Sequence, residues 1–343
     1  MTDDASELDE TVVQTAAGIL RDDEQQRNWL QAAAAQSKLT KRKARVTTTT
    51  TVAAHVVPFQ AEAEGMAVYF ALQLATAVQF CKMLEKLSKL ASQCCWDVVP
   101  GEGLTVRAQD NCRVCAVSMH VPRSAFAAWH VSTAATAVVL ATGVLGACAK
   151  AMKFDRLLTC GLASDQERLQ WRVRPRAGPG KDEAFTLHAN EPPPDLDAAF
   201  GATTLHAPHT PLIRATVAPA DVKAGAAGVA TVKAATVRLQ VVQGAVTLQA
   251  GNGKYRMTMP AAETARVGGG GPTTTTTTTI KSAETEVSLH YLVIVLDLIA
   301  ALGQDTVTML LPDAGGPPLP LQVTAPMGKD GAHVCILLAQ CEE

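Results

Sequence analysis

Aromatic residues are scarce in this chain, 4 % of 343, so alanine, valine and leucine must fill most of any core. A surplus of charge is also missing: 30 Lys and Arg against 32 Asp and Glu leave a formal charge of −2. That excludes a uniformly basic coat for nucleic acid. It leaves room for a local basic face, because attraction depends on where charge sits. The most apolar stretch, residues 291–302, is broken by Asp297 and too short to span a bilayer. No charged start followed by an apolar run marks a signal peptide, so a soluble intracellular protein is expected. The nine cysteines are odd in number and scattered through apolar stretches. They read as reduced core thiols rather than a disulfide frame.

Signatures of catalysis are missing too. The glycines of 268–271 lack the Lys-Ser/Thr that a phosphate loop needs, and Gly178-Pro179-Gly180-Lys181 runs on into Asp182. Neither a nucleophile elbow nor a metalloprotease helix is present. Cys112 and Cys115 form a close pair, but Cys94 and Cys95 upstream are adjacent and on a strand face opposite ways. Packed thiols explain them better than zinc. His206 and His209 flank Pro208 with no further ligand nearby, and Asp97 and Asp110 read as turn or capping groups. No catalytic residue, metal or cofactor is expected.

What is present is order. Phe80, Leu84, Leu87 and Ala91 lay one apolar stripe along a helix. Lys82, Lys86 and Lys89 repeat that spacing two residues on, roughly 200° round the axis. Residues 94–99 and 104–108 then read as two strands joined by the Pro100-Gly101 turn. A lysine stripe on one amphipathic helix is usually only a solvated face. Here Lys150 and Lys153 end a second helix, 143–152, and Lys223 and Lys233 go with a third, 219–232, whereas the last helix, 289–302, has no cation.

Residues 1–65 read as a mostly disordered arm, acidic at first, with Lys41-Arg42-Lys43 and Arg45 as either an import signal or a solvated tail. Residues 66–188 form one domain and 189–211, with its EPPPD run, a solvent-exposed connector. Residues 212–343 form a second domain, with a Gly/Thr-rich surface insertion at 268–279. Each half runs strand, helix, strands, helix, strands, which implies two similar α+β domains in tandem, sheets on one side and helices on the other.

The stretches FCKMLEKLSKLASQCCWDVVPGEGLTVRAQD and TGVLGACAKAMKFDRLLTCGLASDQERLQWRV in the first half carry a resemblance. So do VAPADVKAGAAGVATVKAATVRLQVVQGAVTLQAGNGKYRM and the ending HVCILLAQCEE in the second. Together they resemble the sliding clamps of the proliferating cell nuclear antigen family over nearly all of 66–343. The resemblance implies two clamp-type domains per chain, three chains closed head to tail, helices lining a channel and sheets outside. It implies that Lys82, Lys86, Lys89, Lys150, Lys153, Lys223 and Lys233 face double-stranded DNA without sequence preference. It implies a partner-peptide groove built from Gln109, Arg113, Leu205, Ala207, Pro208, Pro320, Leu338, Ala339 and Gln340.

The expected role is a homotrimeric polymerase processivity factor for replication and repair, opened by a clamp loader ATPase, in the nucleus or a viral replication compartment. No membrane partner is expected. Gln340 in place of the family's proline, the arm, the connector and the insertion mark a divergent, viral-type member. The alternatives are a subunit of a heterotrimeric checkpoint clamp, a clamp-like late transcription factor and, in another class, a cysteine-rich metal-binding enzyme.

Overall fold

The computed structural model describes residues 47–49, 66–131, 136–152, 156–163, 167–175, 182–201, 212–242, 244–267, 283–312, 319–328 and 330–341. Contacts divide the chain into Met1–Arg45 and Val46–Glu343, and every element below belongs to the second unit. Residues 153, 205–209 and the 268–279 insertion lie outside the described residues.

The first half holds β1 (Thr47–Thr49), β2 (Met66–Leu72), α1 (Leu74–Leu87), β3 (Gln93–Val99), β4 (Gly103–Gln109) and β5 (Cys115–Pro122). It continues with β6 (Phe126–Val131), β7 (Thr136–Ala141), α2 (Thr142–Ala149), β8 (Arg156–Ala163), β9 (Arg168–Pro175) and β10 (Glu183–His188). A short helix, α3 (Leu196–Phe200), precedes the second half: β11 (Leu212–Val217), α4 (Pro219–Thr231), β12 (Thr236–Val242), β13 (Ala245–Ala250), β14 (Arg256–Pro260) and β15 (Glu263–Val267). The chain closes with β16 (Ala283–Ser288), α5 (Leu289–Leu302), β17 (Val307–Pro312), β18 (Leu321–Pro326) and β19 (His333–Leu338). The order strand, helix, strands, helix, strands thus occurs twice, as the sequence pattern predicts.

Three sheets result, with strand orders β1-β10-β9-β8-β2-β6, β15-β11-β17-β18-β19-β5-β4-β3-β7 and β14-β13-β12-β16. The second crosses from one half to the other. Its junction is the antiparallel pair β19–β5, in register from His333 opposite His120 to Leu338 opposite Cys115. Alternation makes this possible: β5 buries every second residue, Cys115, Val117, Met119 and Val121, as period two demands of a strand with one wet face. The helices form a row, α2 against α1, α1 against α5 and α5 against α4. Their apolar faces join the strands in one large core.

The few aromatics are concentrated rather than spread. Phe70 meets Phe126 edge-on at 5.1 Å, Phe80 meets Trp96 at 5.8 Å, and Trp96 reaches Trp171 at 6.4 Å, all within the first half. The second half packs Val, Leu, Ile and Met instead, as its composition requires. Glycine has a definite use in α4, where a Cβ on Gly228 would lie 2.1 Å from the Tyr255 ring, so the missing side chain lets that ring lie against the helix.

One expectation needs correcting, and two are refined. Asp97 is not a turn residue; it lies inside β3, opposite Thr105. The connector, read as solvent-exposed, also holds the short helix α3, which buries Phe200. Within the arm, Thr47–Thr49 pair with Ala184, Phe185 and Thr186 along the outer edge of β10. β15, for which the sequence shows no clear alternation, pairs with β11.

Gly103 opens β4 at φ +131°, and a Cβ there would sit 2.2 Å from the Val121 carbonyl oxygen of the paired strand. Gly103→Ala is expected to lower stability by about 3 kcal/mol, from backbone strain and backbone overlap together. Urea denaturation followed by circular dichroism measures it, and an unchanged midpoint would contradict the geometry.

Candidate nucleic-acid and partner interface

The cationic helix face is real but interrupted. Lys82 is exposed and Lys86 half-buried on α1, whose opposite side sinks Phe80, Leu84 and Leu87 into the core. Lys89 is exposed in the turn that follows α1, not on the helix itself. Lys150 caps α2 at its C-terminal end, where a cation suits the helix dipole. Lys233 lies two residues beyond α4 with φ 55°. Lys223, on α4, reaches Asp297 of α5 at 3.3 Å. Glu85, Asp221 and Asp297 also sit on these helices, so the row is a patchwork of cations with carboxylates between them.

The groove residues separate into three sets. Leu205, Ala207 and Pro208 are outside the described residues. Ala339 and Gln340 run beside the residues next to Arg113 and Pro320: the Ala339 N–H donates to Val114 O at 2.8 Å, and Gln340 Nε2 donates to Leu319 O at 2.8 Å. Arg113 is exposed at the tip of the β4–β5 turn, in the left-handed region at φ 59°. Leu338 is the exception. It is fully buried in the core opposite Leu321, so it supports a groove from below and cannot face a ligand. Gln109, the last residue of β4, lines a cavity of 330 Å³ with Asn111, Asn190, Pro193 and Phe200, on the connector's side of the sheet.

Two anchors hold this region, and sequence reasoning missed the long-range partners of both. One is Asp110, 5 % exposed, which accepts hydrogen bonds from the Cys112 N–H at 3.0 Å, the Cys115 N–H at 2.6 Å and the Tyr291 hydroxyl at 2.7 Å. A turn of the first half is thereby fastened to a helix of the second. Burial, then the Asp110 carboxylate, pushes the Tyr291 hydroxyl well above its ordinary pKa, so it stays a donor at any working pH. The capping role expected of Asp110 is present; its long-range partner was not visible.

The other is Arg107. Its Nε donates to Asp97 Oδ2 at 2.7 Å, and its Nη1 donates to the Asp197 carboxylate and, at 2.8 Å, to Gly201 O. One buried guanidinium thus ties β3, β4 and the connector helix α3 together. Phe200 completes the attachment by packing with Cys95 and Val139 in a small core of its own. Asp195 caps α3 through the Ala198 N–H at 2.9 Å, and that Asp at the start of an Ala-rich stretch was the one available signal for the helix. Burial, then Asp97, pushes the Cys95 thiol up to about 12, and burial pushes Cys148 to about 12 and Cys335 to about 11. These thiols are neutral and poor nucleophiles near neutral pH. Among the described residues no three His, Cys, Asp or Glu side chains gather as a metal cluster, and no helix is long and apolar enough to cross a membrane.

Arg107→Met should loosen α3. Asp197 is 68 % exposed and can rehydrate, whereas Asp97 is 20 % exposed, so the loss is that of one charged hydrogen-bond anchor, about 1–3 kcal/mol. Faster proteolytic cleavage within 189–211 at an intact global fold is the expected readout, and unaltered cleavage would remove the anchoring role.

Comparison with known proteins matches this arrangement. No family model and no curated protein matches the chain. Solved structures do. A PCNA from Thermococcus kodakaraensis aligns at TM-score 0.62 and 16 % identity, covering 80 % of this chain and 100 % of its own. The Proliferating Cellular Nuclear Antigen of Entamoeba histolytica gives 0.62 and 15 %, covering 81 % of this chain and 100 % of its own. A PCNA2-PCNA3 complex from Sulfolobus tokodaii gives 0.60 and 16 %, with 80 % and 100 % covered. The fold is that of a PCNA-type clamp.

Proposed function

We propose that the chain is a DNA sliding clamp: a ring-forming, non-catalytic processivity factor that encircles duplex DNA and tethers polymerases and other replication and repair enzymes. The observation that carries this reading is the row of four helices, with Lys82, Lys86, Lys89 and Lys150 along it, on a fold that covers the whole length of each PCNA neighbour. Such lysines attract phosphates without reading bases, and a closed ring supplies persistence that tight binding would defeat. A homotrimer is the form proposed, loaded by an ATPase that opens it, in the nucleus or a viral replication compartment. Partner peptides would lie near Arg113, Pro320, Ala339 and Gln340, beside the Arg107-anchored connector.

A mixed ring is the second reading, favoured by the Sulfolobus neighbour, which is a complex of two different clamps. Light scattering on the pure protein separates the two: three times the 36.0 kDa of one chain supports the homotrimer, and a stable single-chain mass removes it.

Replacing Lys82, Lys86 and Lys89 with Ala should weaken DNA binding and lower the slope of log affinity against log salt by about one for each phosphate no longer neutralised. Lys223→Ala should change it less, because Asp297 already takes up that charge. A triple variant with the wild-type slope would remove these lysines from the DNA face.

A further inference from the structure

His120 and His333 are directly opposite each other where the two halves join, one on β5 and one on β19. Opposed cross-strand residues hold their Cβ atoms about 5 Å apart, so their side chains leave the sheet side by side. The ring centres are 5.4 Å apart at 48° between planes. Two imidazoles bound to one tetrahedral metal at the usual metal–nitrogen length place their ring centres about 5 Å apart. The observed spacing therefore needs little adjustment.

One nitrogen of each ring already has an oxygen partner. His333 Nδ1 lies 3.3 Å from Gly331 O, a carbonyl that can only accept, so Nδ1 carries the proton. His120 Nδ1 lies 3.1 Å from Thr105 Oγ1, a hydroxyl able to accept from an Nδ1–H or to donate to a bare Nδ1, and the site uses the first arrangement. An N–H held on an oxygen at Nδ1 leaves the Nε2 lone pair free, which is the tautomer and orientation that outer hydrogen bonds impose on metal-binding histidines. His333 is exposed and His120 half-buried, so the pair is reachable from solvent.

We propose that His120 and His333 form a two-imidazole site for a borderline divalent transition ion of the Zn²⁺, Ni²⁺ and Cu²⁺ class, with water completing the coordination. Mg²⁺ and Ca²⁺, which prefer oxygen ligands, would be refused. The ion would bridge the two halves of the nine-stranded sheet, because each half contributes one ligand. The inference stands on the strand register and ring geometry and is independent of the clamp reading.

Calorimetric titration of the full chain with ZnCl₂ and NiCl₂, beside His333→Gln and His120→Gln, tests it. Other histidines are present, so the quantity of interest is the site that disappears. Loss of one binding event, with affinity at that site reduced at least tenfold in each variant, is expected. Thr105→Val should weaken the event about 10–100-fold, as removal of an outer hydrogen bond does. Zn²⁺ should raise the melting temperature of the wild-type chain more than that of His333→Gln, while MgCl₂ should raise neither. His333 is exposed, so the His333→Gln chain should melt like wild type in EDTA. Wild-type Zn²⁺ affinity in His333→Gln, or no binding event in the wild-type chain, would overturn the site.

Discussion

The pairing of β19 with β5 is the constraint from which the rest follows. A sheet that continues from one half into the other fixes their relation through six aligned residue pairs rather than through a flexible hinge. Once β19 is in place, α5 lies beside α1, where Gln79 Nε2 donates to Leu302 O at 2.9 Å. The β4–β5 turn comes within reach of Tyr291, and the segment after β19 runs past Val114. The cationic helix row and the surface around Arg113 are therefore two results of one strand pair. Asp110 acts as its lock: a carboxylate away from water is tolerable only when its lone pairs are filled, and here donors from both halves fill them.

Charge is handled differently on the two layers. On the sheet side, Arg107 is held in place by two carboxylates and a carbonyl, and Arg238 lies between Glu284 at 3.1 Å and Glu286 at 3.1 Å. Those guanidiniums are committed to structure. On the helix side, Lys82, Lys89 and Lys150 stay solvated at the ends of long flexible stems. Arginine suits fixed, forked contacts and lysine suits loose, solvated ones, and the two layers divide along that line.

Much of this was legible from residue patterns. Period two in 115–122, the apolar run 334–338 and the apolar stretch 289–302 announce their elements because each buries a large apolar surface. The helix ends were less legible: Lys89 and Lys233 keep the helical spacing but fall past Leu87 and Thr231, where the backbone turns. What the sequence could not show was partnership. Arg107 finds Asp197 across 90 residues, and Asp110 finds Tyr291 across 181, distances at which no local pattern speaks. The helix α3 is five residues long, too short for periodicity, and β15 owes its existence to β11 rather than to alternation of its own. Leu338 was expected in the groove only through the family resemblance of the tail, and strand pairing with Leu321 takes its side chain inside.

The outer edges of two of the sheets are unequally guarded. On β10 the rim is occupied by Thr47–Thr49, while the four-stranded sheet ends at β14 with no further strand among the described residues. A row of amides and carbonyls can serve one neighbour at a time, so a foreign strand seeking β10 must first evict three threonines of the chain's own. The cover is short, and its removal surrenders only a few hydrogen bonds. Among the described residues the β10 edge is thus covered and the β14 edge is not, so a strand adding to β10 would first have to displace that cover, whereas one adding to β14 would not.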